Sequence, residues 1–246
     1  MISKTSSDDL GLFVDQILPL PPGKFPPLND LGGIKIKNSG YLDIPRLLNS
    51  LKQYIRLYGK IREEFFEYPE MVITEKGLKY KDLRAGKIIF CEGPQARNNP
   101  YFKWLPFRPV KGEILTIDPE IHFKFIFNRQ IFILPLQDGL YRVGATYNWD
   151  YRHINPTEEA KKYLEQKLNQ FFPVNYNVKI HLAGIRPATK DRRPFVGLHP
   201  NFPSVGIFNG LGSKGVTLSP YFTEQFVDYL LKDKELDKEV NINRYY

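Results

Sequence analysis

Gly210-Leu211-Gly212-Ser213-Lys214-Gly215 fits the pattern G-x-G-x-x-G. The apolar run Val205-Gly206-Ile207-Phe208 precedes it, and helix-like sequence follows as far as Leu231. Strand, glycine loop and helix are the setting in which such loops approach a dinucleotide pyrophosphate. A nucleotide-binding βαβ unit needs a further strand ending in an acid that holds the ribose. Here the helix-like segment runs instead into Lys232-Asp233-Lys234-Glu235-Leu236-Asp237-Lys238-Glu239, a charged tail without a strand pattern. Either the loop is a tight turn that needs glycine for steric reasons, or it binds something other than a pyrophosphate. In the second case its amides and Lys214 sit at a helix N-terminus, where partial negative charge is favoured.

Upstream of this loop the pattern alternates between two kinds of structure. Residues 1–40 are rich in Pro and Gly, with a short strand expected over Gly32–Ile36. Asp43 reads as an N-cap and Pro45 as a first-turn proline; Leu47, Leu48, Leu51, Tyr54, Ile55 and Tyr58 follow at helical spacing, and Gly59 ends the helix. Short strands are expected at Ile61–Phe66 and Met71–Thr74. Lys87-Ile88-Ile89-Phe90-Cys91 suits a buried parallel strand, stopped by Glu92-Gly93-Pro94. Four strand-like runs come next, at Gly112–Ile117, Ile121–Phe127, Gln130–Leu136 and Leu140–Thr146. Turns at Asn128-Arg129 and Gln137-Asp138-Gly139 make this block an antiparallel meander. Asn155 reads as the N-cap of a second helix, with Pro156 at its first position, the stripe Ala160, Tyr163, Leu164, Leu168 and Phe171, and a stop at Pro173. A strand at Val178–Leu182 leads back to the opening loop. A chain that leaves one layer, builds another and returns implies two interleaved domains of a mixed α/β (α+β) fold.

Composition narrows the class. The 246 residues are 42% hydrophobic and 14% aromatic, which marks a folded globular chain rather than a disordered one. No apolar run approaches the ~20 residues of a membrane span. The first residues carry no apolar signal core. The single Cys91 excludes an intramolecular disulfide and points to a reducing cytoplasm. A net charge of +8 is spread among interspersed acids, which speaks for a solvated surface ahead of a nucleic-acid partner.

The most distinctive stretch is Ala183-Gly184-Ile185-Arg186-Pro187-Ala188-Thr189-Lys190-Asp191-Arg192-Arg193-Pro194-Phe195-Val196-Gly197. Arg186 stands near a glycine and beside a proline, both of which constrain the backbone. A guanidinium fixed at a strand end can grip a carboxylate through two parallel hydrogen bonds. Spacing alone favours a surface or inter-domain salt bridge for it. His122, His153, His181 and His199 show no metal-ligand or catalytic spacing, so no metal is expected. Phe132, Tyr141 and Tyr147 on the meander are core residues or, on a face turned to a cleft, a substrate wall.

Four segments, in this order, resemble the glycine oxidase/D-amino-acid oxidase family of FAD-dependent oxidoreductases. They are Gly86–Gly93, Leu105–Leu115, Tyr141–Tyr147, and Gly184-Ile185-Arg186-Pro187 with Asp191, followed by Phe208–Pro220. The resemblance covers about Gly40 to Leu231. It implies an FAD-binding Rossmann-like layer, incomplete in this sequence, interleaved with an antiparallel-sheet substrate domain. The segments divide as 1–42, a substrate-domain entry; 43–104, part of the FAD-binding domain; 105–177, the antiparallel substrate domain with its helix; and 178–246, the C-terminal part of the FAD-binding domain.

The same resemblance implies site roles. Arg186 would bind the substrate carboxylate, and Phe132 and Tyr147 would face the substrate beside the flavin. Phe132 stands where glycine oxidase-like members have a tyrosine, so a hydroxyl contact is lost. Gly93 would lie beside the flavin. Leu211, Gly212, Ser213, Lys214, Gly215, Val216 and Thr217 would lie against its pyrimidine end, stabilising negative charge as the ring is reduced. Cys91, read as part of a buried strand, leaves flavin attachment noncovalent. The family's opening strand–GxGxxG–helix is missing ahead of Gly40. The expectation is therefore the C-terminal portion of an enzyme that oxidises a small amine or amino acid, such as glycine, sarcosine or a D-amino acid. Three alternatives accompany it: a non-catalytic binding protein, one subunit of a split enzyme completed by a partner that carries the N-terminal half, and a tRNA-modifying oxidase of the same family.

Overall fold

The computed structural model describes residues 14–18 and 33–246, so most of segment 1–42 lies outside the described residues. The chain forms two compact units, each assembled from three separate stretches. The first comprises 1–64, 114–145 and 157–181; the second comprises 65–113, 146–156 and 182–246. No described helix is long and apolar enough to cross a membrane.

The first unit opens with β1 (Val14–Leu18) paired antiparallel to β2 (Gly33–Ile36), the second close to its expected place. Helix α1 (Ile44–Tyr58) starts where Asp43 caps it: the Asp43 carboxylate accepts from the Arg46 amide at 3.1 Å. Its apolar side is largely uncovered; Leu48 is 58% and Tyr54 59% exposed. The strand expected over Ile61–Phe66 does not form. Glu63 instead turns back onto α1, pairing with Lys52 and, at 3.5 Å, with Arg56.

The meander is real but shorter than its apolar runs. One sheet has the order β11-β7-β10-β9-β8. Its strands are β7 (Val110–Pro119), β8 (Phe127–Arg129), β9 (Ile131–Pro135), β10 (Tyr141–Gly144) and β11 (Tyr176–Arg186). Alternation directs Leu115, Ile117, Ile131, Ile133, Tyr141 and Val143 to one face. Leu164, Leu168 and Phe172, from α2 (Glu158–Phe171) and its C-cap, close over that face. Full burial of each such aliphatic side chain stabilises the fold by roughly 1.5–3 kcal/mol.

Three further expectations need correction in this unit. Residues 121–126 are irregular rather than a strand. Phe123 packs on Tyr141, Phe127 and Phe172, and its backbone is bonded by the Tyr141 hydroxyl at 2.6 and 2.9 Å in place of a neighbouring strand. Tyr141 is therefore core, not a cleft wall. The turn after β8 falls on Gln130 (φ 62°), not on Asn128-Arg129. Helix α2 is capped by Thr157, whose hydroxyl accepts from the Ala160 amide at 3.3 Å, two residues after the expected Asn155 cap. That places Glu158 and Glu159 in the first turn, favourable to the helix dipole.

The second unit holds β3 (Met71–Thr74), β4 (Gly77–Tyr80) and β5 (Leu83–Ala85) as an antiparallel sheet. A second sheet has the order β12-β13-β6, from β6 (Ile88–Phe90), β12 (Phe195–His199) and β13 (Phe202–Asn209). Strands β6 and β13 are parallel, with Gly206 opposite Ile89. A Cβ on Gly206 would lie 2.6 Å from Ile89 Cδ1, so glycine lets the Ile89 side chain cross the strand there. Helix α3 (Gly215–Lys232) buries Phe222 and Phe226. The charged tail is not merely solvated, because Leu236, Val240 and Ile242 are buried and the Val196 amide donates to Val240 O at 3.0 Å.

Candidate functional site

Within the second unit the carboxyl ends of β6 and β13 lie side by side, the position where open α/β sheets bind ligands. Gly93 follows β6 and the glycine loop follows β13. Asn209, the last residue of β13, ties them together. Its Nδ2 donates to Gly93 O at 3.1 Å, and its Oδ1 accepts from the Gly210 amide at 2.7 Å.

Two glycines of the loop have left-handed backbone, Gly210 at φ 78° and Gly212 at φ 56°. At Gly210 space forbids a side chain as well, since a Cβ would lie 2.6 Å from Thr189 Cγ2. The loop rests on the 186–194 segment: the Gly212 amide donates to Pro187 O at 3.1 Å. Asp191 anchors that segment, accepting from the Arg193 amide at 3.0 Å and from Arg244 Nε at 3.1 Å. Burial alone would raise its carboxyl pKa. Hydrogen bonds from Tyr245, the Arg193 amide and Thr189, together with the Arg244 charge, outweigh burial and hold it below the usual value.

Not all amides of the loop are open to a ligand. The Lys214 amide donates to Leu211 O at 3.0 Å, and those of Thr217 and Leu218 donate to Lys214 O at 3.1 and 2.9 Å. Among the described residues, the amides of Ser213, Gly215 and Val216 have no acceptor. They crown α3 beside the exposed Lys214 side chain. A Cβ on Gly93 would meet nothing within 4 Å, and one on Gly212 nothing nearer than 3.9 Å. Open space, unpaired amides and positive charge at one end of a parallel strand pair fit a flat, electron-accepting ring such as a flavin.

Arg186 ends β11. Its Nη1 donates to Thr146 O at 3.1 Å, and its guanidinium lies 4.3 Å from the Tyr147 ring centroid. It rests directly on Gly112, where a Cβ would lie 2.1 Å from Nη1. Lys111 and Glu113 flank that glycine on the opposite side of β7 as a buried ion pair of 2.9 Å, with Lys111 also bonded to Asn155 O. The Glu113 amide donates to the Thr146 hydroxyl at 2.9 Å, so residues 111–113 and 146–148 hold each other in register. Among the described residues Arg186 has no carboxylate partner. A half-buried guanidinium with most of its donors free is a ready site for a planar anion.

The structure thus places Arg186 and Tyr147 together, and links them to Gly93 and Leu211–Thr217 through Pro187 and Asn209 within one unit. Phe132 lies on β9 of the other unit, half-buried, with its ring over Gly144. Sequence reasoning passed over Gly112, Thr146 and Asn209. Thr146 and Gly112 lie inside the quoted segments, but nothing in their spacing shows that they seat Arg186.

Cys91 also departs from expectation, since β6 ends at Phe90 and Cys91 is exposed. The protein packed about its thiol, and Glu92 beside it, still push its pKa up. Alkylation by iodoacetamide at neutral pH should therefore run more slowly than for free cysteine, because only the thiolate reacts. A rate equal to that of glutathione would contradict this environment.

A glycine loop at the carboxyl ends of two parallel strands, joined through Pro187 to the strand that ends in Arg186, has the geometry of a ligand site. The chain belongs to the DAO family, FAD dependent oxidoreductase, whose model matches residues 12–228. It is 27% identical to a glycine oxidase of Bacillus subtilis over 205 residues, 77% of this chain and 54% of that protein. It is 25% identical to the tRNA 5-methylaminomethyl-2-thiouridine biosynthesis bifunctional protein MnmC of Legionella pneumophila, over 82% of this chain and 34% of that protein. The chain spans about half the length of the curated glycine oxidases it matches. Among solved structures, glycine oxidase from Geobacillus kaustophilus superposes with a TM-score of 0.70 at 21% identity, over 83% of this chain and 58% of that one. Iminodiacetate oxidase from Chelativorans sp. BNC1 gives 0.70 at 21%, over 95% and 69%. These likenesses establish the mixed α/β fold of the family.

Proposed function

We propose that the protein supplies the substrate-binding and flavin-ring side of an FAD-dependent oxidation of a small amine or amino acid, such as glycine, sarcosine or a D-amino acid. The observation that carries this reading is Arg186, a half-buried guanidinium without a carboxylate partner among the described residues, held in the same unit as the glycine loop. Arg186 binds the substrate carboxylate, with Thr146 O and the Tyr147 ring fixing the plane of the fork. Tyr147, in the same unit as Arg186, lies against the substrate. Gly93 and Leu211–Thr217 hold FAD noncovalently, and the Ser213, Gly215 and Val216 amides with Lys214 favour negative charge on the bound ring. Held there, FAD would supply a hydride acceptor for oxidation of the carbon next to the substrate's neutral amine. No strong protein base is required beyond an uncharged amine.

The test is anaerobic addition of glycine, sarcosine and D-alanine to the FAD-loaded protein. Bleaching of the flavin's visible absorbance by at least one of them is expected. A flavin that stays oxidised with every amine tried would sink the reading. A second reading, a tRNA-modifying oxidase, draws on the MnmC relatives and the +8 charge. Salt-sensitive binding of tRNA at nanomolar to micromolar affinity would favour it.

A further inference from the structure

Beyond Arg186 the second unit carries a strip of rings and charges that the oxidation of glycine alone would not use. Tyr147, stacked under Arg186, is 54% exposed, and Trp149 is 46% exposed. Their ring centroids are 6.3 Å apart with planes inclined by 31°. Arg108 then lies 5.5 Å from the Trp149 ring. The order along the strip is guanidinium, phenol, indole, guanidinium.

The strip is held on fixed backbone. Asn148, between the two rings, exchanges both backbone hydrogen bonds with Lys111 at 2.9 Å, and its Oδ1 accepts from the Asp150 amide at 2.8 Å. The Arg108 amide donates to Ala188 O at 2.8 Å, two residues beyond Arg186. Arg108 has no acidic partner among the described residues. Two large aromatics left half in water beside guanidiniums that lack an acidic partner among the described residues are a common make-up of recognition surfaces rather than of solvated ones. Their flat faces and flanking cations favour a planar, electron-rich group over an aliphatic chain.

We infer that Tyr147, Trp149 and Arg108 bind a flat ring carried by the substrate, so that the preferred substrate is an N-substituted or side-chain-substituted amino acid bearing an aromatic or heteroaromatic group. Arg186 takes the carboxylate end and Trp149 stacks on the ring end. This rests on the carboxylate reading of Arg186 for its orientation, and on Trp149 for the ring itself.

The sequence has two tryptophans, Trp104 and Trp149. A Trp104→Phe variant leaves Trp149 as the single indole reporter. Titration with N-benzylglycine should quench its emission, glycine should leave it unchanged, and N-(cyclohexylmethyl)glycine should bind roughly tenfold more weakly than the benzyl compound. By calorimetry on the otherwise unaltered FAD-loaded protein, Trp149→Ala should weaken N-benzylglycine roughly tenfold and glycine less than about twofold. Equal loss for the two ligands, no quenching, or no measurable binding of N-benzylglycine overturns the proposal. Quenching by a short oligoribonucleotide but not by N-benzylglycine overturns it too, in favour of an RNA base. If Arg186→Ala leaves glycine affinity unchanged while benzylamine still quenches Trp149, the carboxylate reading fails and ring binding stands.

Discussion

Replacing Arg186 with alanine should weaken binding of carboxylate substrates roughly 30- to 1,000-fold, the equivalent of about 2–4 kcal/mol for a lost charge-assisted fork. The size follows from what surrounds the guanidinium. Among the described residues it makes one hydrogen bond, to Thr146 O, and lies against one ring, so most of its donors are available to a ligand. Removing it also leaves the carboxylate to be desolvated without a partner, which is why the loss exceeds that of an ordinary hydrogen bond. Arg186→Lys keeps the charge but not the planar fork or the stacking on Tyr147, and should fall between the two. The melting temperature should move by no more than about 3 °C, because few protein contacts are lost. Affinities of a carboxylate inhibitor, measured by calorimetry for the three proteins, check this; unchanged affinity in the alanine variant removes Arg186 from the site.

Gly112→Ala should lower the same affinity without replacing a ligand-binding group. The backbone at Gly112 is not in the left-handed region, so alanine is tolerated conformationally. Its Cβ, however, would stand 2.1–2.3 Å from three atoms of the Arg186 guanidinium. The far end of a long side chain can move away cheaply, and the fold should survive with Arg186 displaced from Tyr147. A carboxylate affinity lower by at least roughly tenfold is expected, and the effect should vanish in the Arg186→Ala background. Such non-additivity is the signature of two residues acting through one contact. Additive losses in the double variant would show that Gly112 acts by some other route.

The parts of this fold that were legible are those specified by neighbours along the chain. Asp43 announces α1 because a cap bonds an amide three residues ahead. The apolar run before Glu92 is a strand because nothing polar interrupts it. Errors arose where a tertiary contact replaced a local one. Residues 121–126 have the composition of a strand, yet the Tyr141 hydroxyl takes the backbone N–H and C=O of Phe123 at their centre. Residues 61–66 lose their expected strand as Glu63 turns back to α1. Both Asn155 and Thr157 are competent caps; Asn155 O is engaged by Lys111 and the helix begins two residues later.

The candidate site divides in the same manner. The glycine loop could be located from its spacing. Which of its amides stay open could not, because Pro187 O and Leu211 O claim two of them. Arg186 stood out by its proline and glycine neighbours, whereas its seat on Gly112 is a contact between distant strands.

The interleaving of the two units bears on how proteins of this build can diversify. The chain passes from one unit to the other five times. Two of those passages occur inside strands: β7 between Glu113 and Ile114, and β11 between His181 and Leu182. No single recombination junction can therefore exchange one whole unit while leaving the other intact. A crossover at 113/114 would join the strand register that seats Arg186 on Gly112 to a foreign continuation of β7. Specificity in such a chain is expected to drift by point substitution along exposed stretches such as 146–156, with the passages themselves inherited intact.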